Sequence, residues 1–309
     1  MKQIIITTAI AALSFNLVAQ DKDEPHYIRD KAGTHIYFSV EEANQTTEKV
    51  EVLNLRNKEL AVVPEGINQF QELKFLNLMK NQLTVLPDAI FECTELTELI
   101  FRQNKLKELP AAVGQLKELE VLNASRNQFT VLPEEIGQLQ KVRIIHLVQN
   151  ELTVLPESMG NLKQLRTLEL DDNNLSALPS SIKRLKQLNL LNVANNKVVN
   201  FTPEMCRLKR LEDLNLDNNK IQSLPEDIKK LKSIKSLSLR DNQISVLPEN
   251  ICKLRHLNLL NLGNNQLTSL PENLAQLNNL KTLILVGNEF SIEEKARIKR
   301  ALPNTDIRF

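Results

Sequence analysis

Histidine is the side chain of this sequence that could most readily act in acid–base chemistry, but its copies are scattered. The four histidines of the 309 residues are His26, His35, His146 and His256. No H-E-x-x-H, G-x-S-x-G, phosphate-binding glycine loop or paired C-x-x-C motif is present. The residue groups that carry hydrolysis, phosphoryl transfer or zinc binding are therefore missing from the sequence. We expect no enzyme activity and no cofactor, and we look instead for the elements that would build a recognition surface.

Asparagine recurs every 23 residues through most of the chain, and this period predicts the fold. The ten asparagines that share the phase are Asn81, Asn104, Asn127, Asn150, Asn173, Asn196, Asn219, Asn242, Asn265 and Asn288. Leucines recur with them, which gives the unit L-x-x-L-x-L-x-x-N-x-L-x-x-L-P-x-x-I-x-x-L-x-x. A fixed period of this length is typical of a solenoid, in which each repeat packs only against its neighbours.

The chemistry of the unit predicts the parts of each repeat. Its L-x-L pair alternates as a short strand with one buried face does, so stacked repeats should form a parallel sheet. The asparagine amide can bond backbone groups where the chain leaves the strand, and amides in register would form a ladder. Proline should start the return segment, because it suits the first turn of a helix. Lysines such as Lys229, Lys230 and Lys253 would then complement the helix dipole, and we expect no binding patch there.

The unit resembles the leucine-rich repeat family across residues 50–290. Its L-P-x-x-I segment is similar to that of Ras-group and scribble-type scaffolds and of secreted bacterial repeat proteins. The resemblance implies an α/β solenoid: a horseshoe with a concave parallel sheet, short helical or 3-10 return segments and a cap at each end. It also implies protein recognition without catalysis, and it does not identify the partner.

The ends of the array are expected to close the core. We predict an N-terminal cap over residues 20–49, eleven repeats over residues 50–290 and a C-terminal cap over residues 291–309. Ser39 and Ser291 each begin an S-x-x-E capping box, which predicts a helix start in both caps.

Function is expected on the outward strand positions of the concave face. An early zone of these positions is apolar with basic edges, and a middle zone is acidic. The residues predicted to contact a protein are Phe75, Met79, Ile100, Arg102, Val121, Ile144, His146, Val148, Glu169, Asp171, Asp213 and Asp217. Apolar side chains grouped on a rigid surface are typical of a binding site, although packing between neighbouring strands would also explain them.

The acidic zone could instead favour calcium, since calcium binds several carboxylates at once. Carboxylates on neighbouring strands lie about 5 Å apart and form no compact loop, so we predict no metal site there. A solvated face or a docking site for a basic partner is the favoured interpretation.

The three cysteines are predicted to be free thiols. Cys93 lies in a phase that leucine occupies in other repeats, which predicts a small core residue. Cys206 and Cys252 share a phase but lie two repeats apart. That separation is roughly 10 Å, beyond the reach of a disulfide.

Residues 1–19 have the order of a secretory signal peptide. Lys2 is followed by an apolar run over residues 4–12 and by small residues up to Ala19, before a charged segment. We predict cleavage after Ala19, with no membrane span in the mature chain. The alternative is that the run forms a strand or helix of the domain and the protein stays in the cytoplasm.

The sequence as a whole predicts an exported, non-enzymatic protein that binds an unknown protein partner through its concave face. It would be periplasmic, cell-surface or secreted. A formal net charge of +1 gives no electrostatic reason to expect nucleic acid or an anionic membrane as partner. Two alternatives are an intracellular signalling scaffold and an adhesive surface component with a glycan or matrix ligand.

Overall fold

A single open sheet of parallel strands runs through the protein. The computed structural model describes residues 34–309, and its thirteen strands pair in chain order, each with the next. The strands are β1 (Ile36–Tyr37), β2 (Val52–Asn54), β3 (Phe75–Asn77), β4 (Glu98–Ile100), β5 (Val121–Asn123), β6 (Ile144–His146), β7 (Thr167–Glu169), β8 (Leu190–Asn192), β9 (Asp213–Asn215), β10 (Ser236–Ser238), β11 (Leu259–Asn261), β12 (Thr282–Ile284) and β13 (Asp306–Arg308). The predicted solenoid with a parallel sheet is confirmed.

The two leucines of each L-x-L pair build one continuous core. Leu76 and Leu78 are both fully buried, as are their equivalents Leu168 and Leu170. The core extends along the whole array, from Tyr37 to Leu302. Because each strand alternates, the residue between the two leucines points out of the core, and the sheet acquires an outer face with a 23-residue period.

The return segments are 3-10 helices of three to five residues. They are Ile67–Gln69, Asp88–Ile90, Ala111–Gln115, Glu134–Gln138, Glu157–Asn161, Ser180–Arg184, Met205–Arg207, Glu226–Lys230, Glu249–Lys253 and Leu274–Gln276. In seven of these ten segments proline lies at the N-cap, one position earlier than the sequence predicted. Pro133, for example, has φ −70° and ψ 150°, an extended conformation. The prolyl ring fixes φ, so it sets the direction of the chain just before the helical turn begins.

The asparagine ladder is confirmed in atomic detail. Asn173 donates its Nδ2 protons to the carbonyl oxygens of Leu147 and Leu170, at 2.9 Å in both cases. Its Oδ1 accepts from the backbone N–H of Leu152 at 3.0 Å. The same three kinds of bond recur at all ten ladder asparagines. Each amide thus ties its own repeat to the preceding one and satisfies backbone groups inside the core.

A residue in the left-handed region precedes each ladder asparagine, a feature that the sequence did not reveal. Gln149 has φ 55° and Asp172 has φ 56°, and Gly287 occupies the equivalent position before Asn288 with φ 78°. A left-handed conformation costs a residue other than glycine about 1–2 kcal/mol. The ladder therefore has to hold the backbone in a conformation that most side chains resist.

Short helices lie at both predicted capping sites. Helix α1 (Val40–Ala43) begins after Ser39, whose side chain accepts from the backbone N–H of Glu42. Helix α2 (Ile292–Ala301) begins after Ser291 in the same way, and β13 follows it at the edge of the sheet. The predicted signal peptide lies outside the described residues, and the domain boundaries remain predictions.

All three cysteines are free and buried, as predicted. Burial raises the pKa of Cys93 to about 11 and that of Cys206 to about 12. Burial likewise raises the pKa of Cys252 to about 11. Thiols with such pKa values carry almost no reactive thiolate at neutral pH, so these side chains serve packing.

Candidate functional site: the concave face

Three columns of side chains cover the concave face of the sheet, which is the face turned away from the leucine core, over strands β3 to β7. The register of β3 to β7 places these residues side by side in the first column: Phe75, Glu98, Val121, Ile144 and Thr167. The second column contains Asn77, Ile100, Asn123, His146 and Glu169. The third column follows the second leucine of each repeat and contains Met79, Arg102, Ser125, Val148 and Asp171.

The predicted apolar zone is smaller than the sequence suggested. Phe75 and Met79 lie on this face but are only 0% and 3% exposed, so neither offers free surface to a partner in this conformation. Glu98 separates Phe75 from Val121 in the first column and is itself buried. Period alone placed these residues on one face, but it could not predict how far each side chain would be covered.

The accessible apolar side chains centre on β6 instead. Ile144 pairs directly with Val121 of β5, and both are half-buried. Val148 lies farther along the same repeat, and Ile100 lies one strand before Val121 in the neighbouring column. We call these four residues, Ile100, Val121, Ile144 and Val148, the apolar patch.

His146 joins the apolar patch to the acidic side of the face. Its Nδ1 lies 2.6 Å from Oε2 of Glu169, on the next strand, with both side chains mostly buried. The two residues are partners in the strand register, so they share a phase in adjacent repeats. The sequence predicted both as contact residues but not their pairing, although their spacing of 23 residues was the available signal.

Asp171 is the most perturbed carboxylate near this pair. Burial, followed by the negative charge of Glu169, raises the pKa of Asp171 to about 6. Its Oδ1 accepts a hydrogen bond from Nδ2 of Asn192 at 3.0 Å, a partner that the sequence prediction missed. Glu169 and Asp171 therefore form an acidic margin beside the apolar patch, held in place from both neighbouring strands.

Asp213 and Asp217 lie farther along the sheet and do not join this margin. They belong to the repeat of β9, with the repeat of β8 between them and Asp171. Burial raises the pKa of both carboxyl groups. Asp217 accepts from the backbone N–H of Arg240 at 2.7 Å, so one of its oxygens is already committed to the protein. The residues predicted as one acidic zone therefore form two separate groups, Glu169 with Asp171 and Asp213 with Asp217.

The pH dependence of stability should reveal Asp171. A carboxyl group whose folded pKa is about 6 binds its proton more tightly in the folded chain than in the unfolded one, where the pKa is about 3.9. Stability should therefore fall as pH rises between these values, by on the order of 1–2 kcal/mol once partial exposure is allowed for. Asp171→Asn should remove that loss, which chemical denaturation at about pH 4.5 and pH 7.5 would measure.

The change in unfolding free energy of Asp171→Asn between the two pH values is the control, because every other ionisable residue is the same in both proteins. An equal change in unfolding free energy between the two pH values for wild type and Asp171→Asn would contradict the assigned protonation.

Neither a metal centre nor a membrane span is evident in the described part of the chain. Within residues 34–309, no group of three or more His, Cys, Asp and Glu side chains is arranged to hold a metal ion. No helix in this same range combines the length and the apolar character needed to span a bilayer.

Known proteins share both the repeat and the architecture. A family profile described as a leucine-rich repeat region matches residues 131–215 and 200–297, and one described as a leucine rich repeat matches residues 71–129. A leucine-rich repeat protein of Leptospira interrogans, LIC12759, is 30% identical over 89% of this chain and 100% of its own, with a TM-score of 0.37. No curated protein matches the chain in sequence.

Two further solved structures resemble the fold. The leucine-rich repeat ectodomain of the plant receptor kinase GASSHO1/SCHENGEN3 from Arabidopsis thaliana, in complex with CASPARIAN STRIP INTEGRITY FACTOR 2, is 26% identical with a TM-score of 0.58. The match covers 77% of this chain but only 33% of the receptor chain. An internalin (inlF) from Listeria monocytogenes is 22% identical, covers 83% of this chain and 79% of its own, and has a TM-score of 0.65. With the profiles spanning most of the array and ten ladder asparagines in register, this chain belongs to the leucine-rich repeat family.

Proposed function

We propose that the protein is an exported, non-enzymatic binding protein that recognises a protein partner through its concave face. The observation that carries the proposal is the apolar patch beside the His146–Glu169 pair. Half-buried apolar residues bordered by polar groups are the composition expected at the centre of a protein interface. The GASSHO1/SCHENGEN3 ectodomain, which was solved in complex with CASPARIAN STRIP INTEGRITY FACTOR 2, supports a binding role for this architecture.

The chemistry of the face indicates the kind of partner segment. The apolar patch favours aliphatic or aromatic side chains, and the acidic margin of Glu169 and Asp171 favours a lysine or arginine. The strands that carry these residues are fixed by the ladder before any partner arrives, so little ordering entropy opposes association. A partner segment with apolar and basic residues would fit both halves of the site.

Site-directed photo-cross-linking in the native organism would test the chosen face. A photoreactive residue at Ile144 should give a defined protein adduct that mass spectrometry can identify. The same residue at Gln138, which is exposed at the end of a 3-10 return segment, should give none. An adduct from Gln138 but not from Ile144 would show that the partner binds elsewhere on the solenoid.

Export is a separate prediction with a separate measurement. If residues 1–19 are a signal peptide, the mature chain isolated from native cells should begin at or near Gln20. Deleting residues 1–19 should then leave the thermal unfolding of the recombinant protein unchanged. An N-terminus that still contains the apolar run would favour the intracellular scaffold, and a large loss of stability on deletion would assign the run to the fold.

A further inference from the structure

Positive charge collects along one edge of the solenoid, where the 3-10 segments end and the chain returns towards the next strand. Four successive repeats carry a basic residue in each of the same two phases. The residues in the first phase are Arg184, Arg207, Lys230 and Lys253. The residues in the second phase are Lys186, Lys209, Lys232 and Arg255. All eight are exposed, and we call them the basic edge.

The fold does not require this charge. Two repeats before the row, Gln138 and Gln140 occupy the same two positions, and in the repeat after the row Gln276 and Asn278 do. In the repeat between Gln138 and the row, only Lys163 is basic. All three of these repeats form a 3-10 segment and the same strand pairs as the basic ones. Complementing the dipole of a return segment, which the sequence suggested for these lysines, therefore cannot explain why the charges occur in consecutive repeats.

Most of the charge on the basic edge is not neutralised within residues 34–309. In that part of the chain only Lys230 has a carboxylate partner within ion-pair distance, Asp227 at 2.6 Å. Lys186 instead donates its Nζ to the backbone carbonyl of Arg207 at 3.4 Å. Burial, then the positive charges of Lys209 and Arg207, lower the pKa of Lys186. These cations repel one another, and an anion bound along the edge would relieve that repulsion.

The surroundings of the basic edge exclude several kinds of anionic partner. Within residues 34–309, no exposed large hydrophobic side chain lies in the two phases of the basic edge. In the four repeats that carry the basic edge, the exposed large hydrophobic residues are Val199 and Val246, which lie in other phases. The edge therefore lacks the aromatic platforms on which single-stranded nucleic acids stack their bases. It also lacks the buried apolar anchors that dominate protein interfaces.

The spacing of the charges favours an extended chain. Adjacent strands lie about 4.8 Å apart, and each repeat adds one pair of cations to the row at that step or a wider one. A linear polysaccharide with regularly spaced anionic groups can therefore contact the cations of successive repeats in turn. We propose that the basic edge binds a linear anionic polysaccharide, sulfated or carboxylated, on the side of the molecule away from the protein-binding face.

Heparin binding by the full chain would test this proposal. The variant Arg207→Gln, Lys209→Gln, Lys230→Gln, Lys232→Gln gives two repeats of the row the same pair that Gln138 and Gln140 form in this fold, so it should fold normally. It should bind heparin about tenfold or more weakly at low salt, because each lost cation removes a counterion-releasing contact. Neutral dextran should not bind either protein. Equal heparin affinity for the variant and wild type would overturn the proposal.

Two further variants distinguish the effect of the basic edge from the effect of the protein's net charge. Replacing Lys105, Lys107, Lys197 and Lys220 by Gln removes the same charge from exposed positions that follow the strands, and it should change heparin affinity about threefold or less, as distant charges are screened. Asn161→Arg, beside the native Lys163, extends the row by one repeat and should tighten binding. Equal losses in the two quadruple variants, or no gain in the extended one, would contradict a defined edge.

Other anionic probes decide the class of ligand. Single-stranded DNA, polyglutamate and phosphatidylglycerol vesicles should each bind more weakly than heparin under the same conditions. Tighter binding of any of them through the basic edge would overturn the assignment to a polysaccharide. The quadruple edge variant should still give the Ile144 cross-link, since the concave face is unchanged.

Discussion

Replacing Asn173 by Ala should lower the free energy of unfolding by about 1–3 kcal/mol. The amide of Asn173 satisfies the carbonyl oxygens of Leu147 and Leu170 and the N–H of Leu152. Alanine cannot replace these bonds, and Asn173 is only 7% exposed. The N–H of Leu152 would lose its partner inside the core, and the carbonyl oxygens of Leu147 and Leu170 would keep only the bonds from Asn150 and Asn196. Chemical denaturation of the two proteins would measure the difference.

The matched control is Asn200→Ala. Asn200 is an exposed asparagine that lies outside the ladder phase, so its replacement should change the unfolding free energy by about 0.5 kcal/mol or less. Asp172 adds a reason to expect a cooperative loss, because its left-handed backbone immediately precedes Asn173. Equal destabilisation at positions 173 and 200 would mean that the ladder contributes little beyond its side-chain volume.

Periodic features of the fold could be predicted from the sequence because each is dictated by local chemistry repeated many times. The alternation around Leu168 and Leu170 predicted a strand with both leucines buried, and both are buried in the structure. Ser39 and Ser291 identified two helix starts because a hydroxyl followed by a glutamate satisfies the free N–H groups of a first turn. The free cysteines followed from the spacing of stacked repeats.

Two kinds of feature could not be predicted in the same way: how far neighbouring groups bury a side chain, and which side chains pair with each other. Phe75 was placed on the correct face, but its burial depends on what lies above it and not on its phase. The left-handed residue before each ladder asparagine leaves only a partial composition signal. Asn, Asp or Gly occupies the position in Asp172, Asn195, Asn218, Asp241, Asn264 and Gly287, but Gln149 shows that other residues are held there too. Conversely, the His146–Glu169 contact was visible as a shared phase and needed only the strand register to become a pair.

Two surfaces of the solenoid differ in charge although the whole chain is nearly neutral. A formal net charge of +1 conceals an acidic margin at Glu169 and Asp171 on one face and eight exposed cations on the basic edge. Net charge therefore gave no reason to expect an anionic ligand, whereas the distribution of charge does. The proposed protein partner and the proposed polysaccharide would bind different faces and could be bound together.

The largest functional effect is expected from charges placed within the apolar patch. Ile144→Lys with Val148→Lys puts two ammonium groups on either side of His146, where a partner must remove them from water. Once the partner is identified, its affinity should fall by at least about 2 kcal/mol, because a desolvated charge without a partner is costly at an interface centre. Lysine is chosen because it also opposes a basic segment that approaches Glu169 and Asp171.

Stability should change little in this variant, since both side chains are half-buried on the outer face and lie outside the leucine core. The control pair, Thr84→Lys with Thr130→Lys, adds the same charge at exposed positions beyond the ladder and should leave the affinity unchanged. Calorimetry with the partner would measure both affinities, and thermal unfolding would confirm that each variant is folded. Loss of binding in the control pair with wild-type affinity in the Ile144 and Val148 pair would place the interface on the edge of the solenoid and not on its concave face.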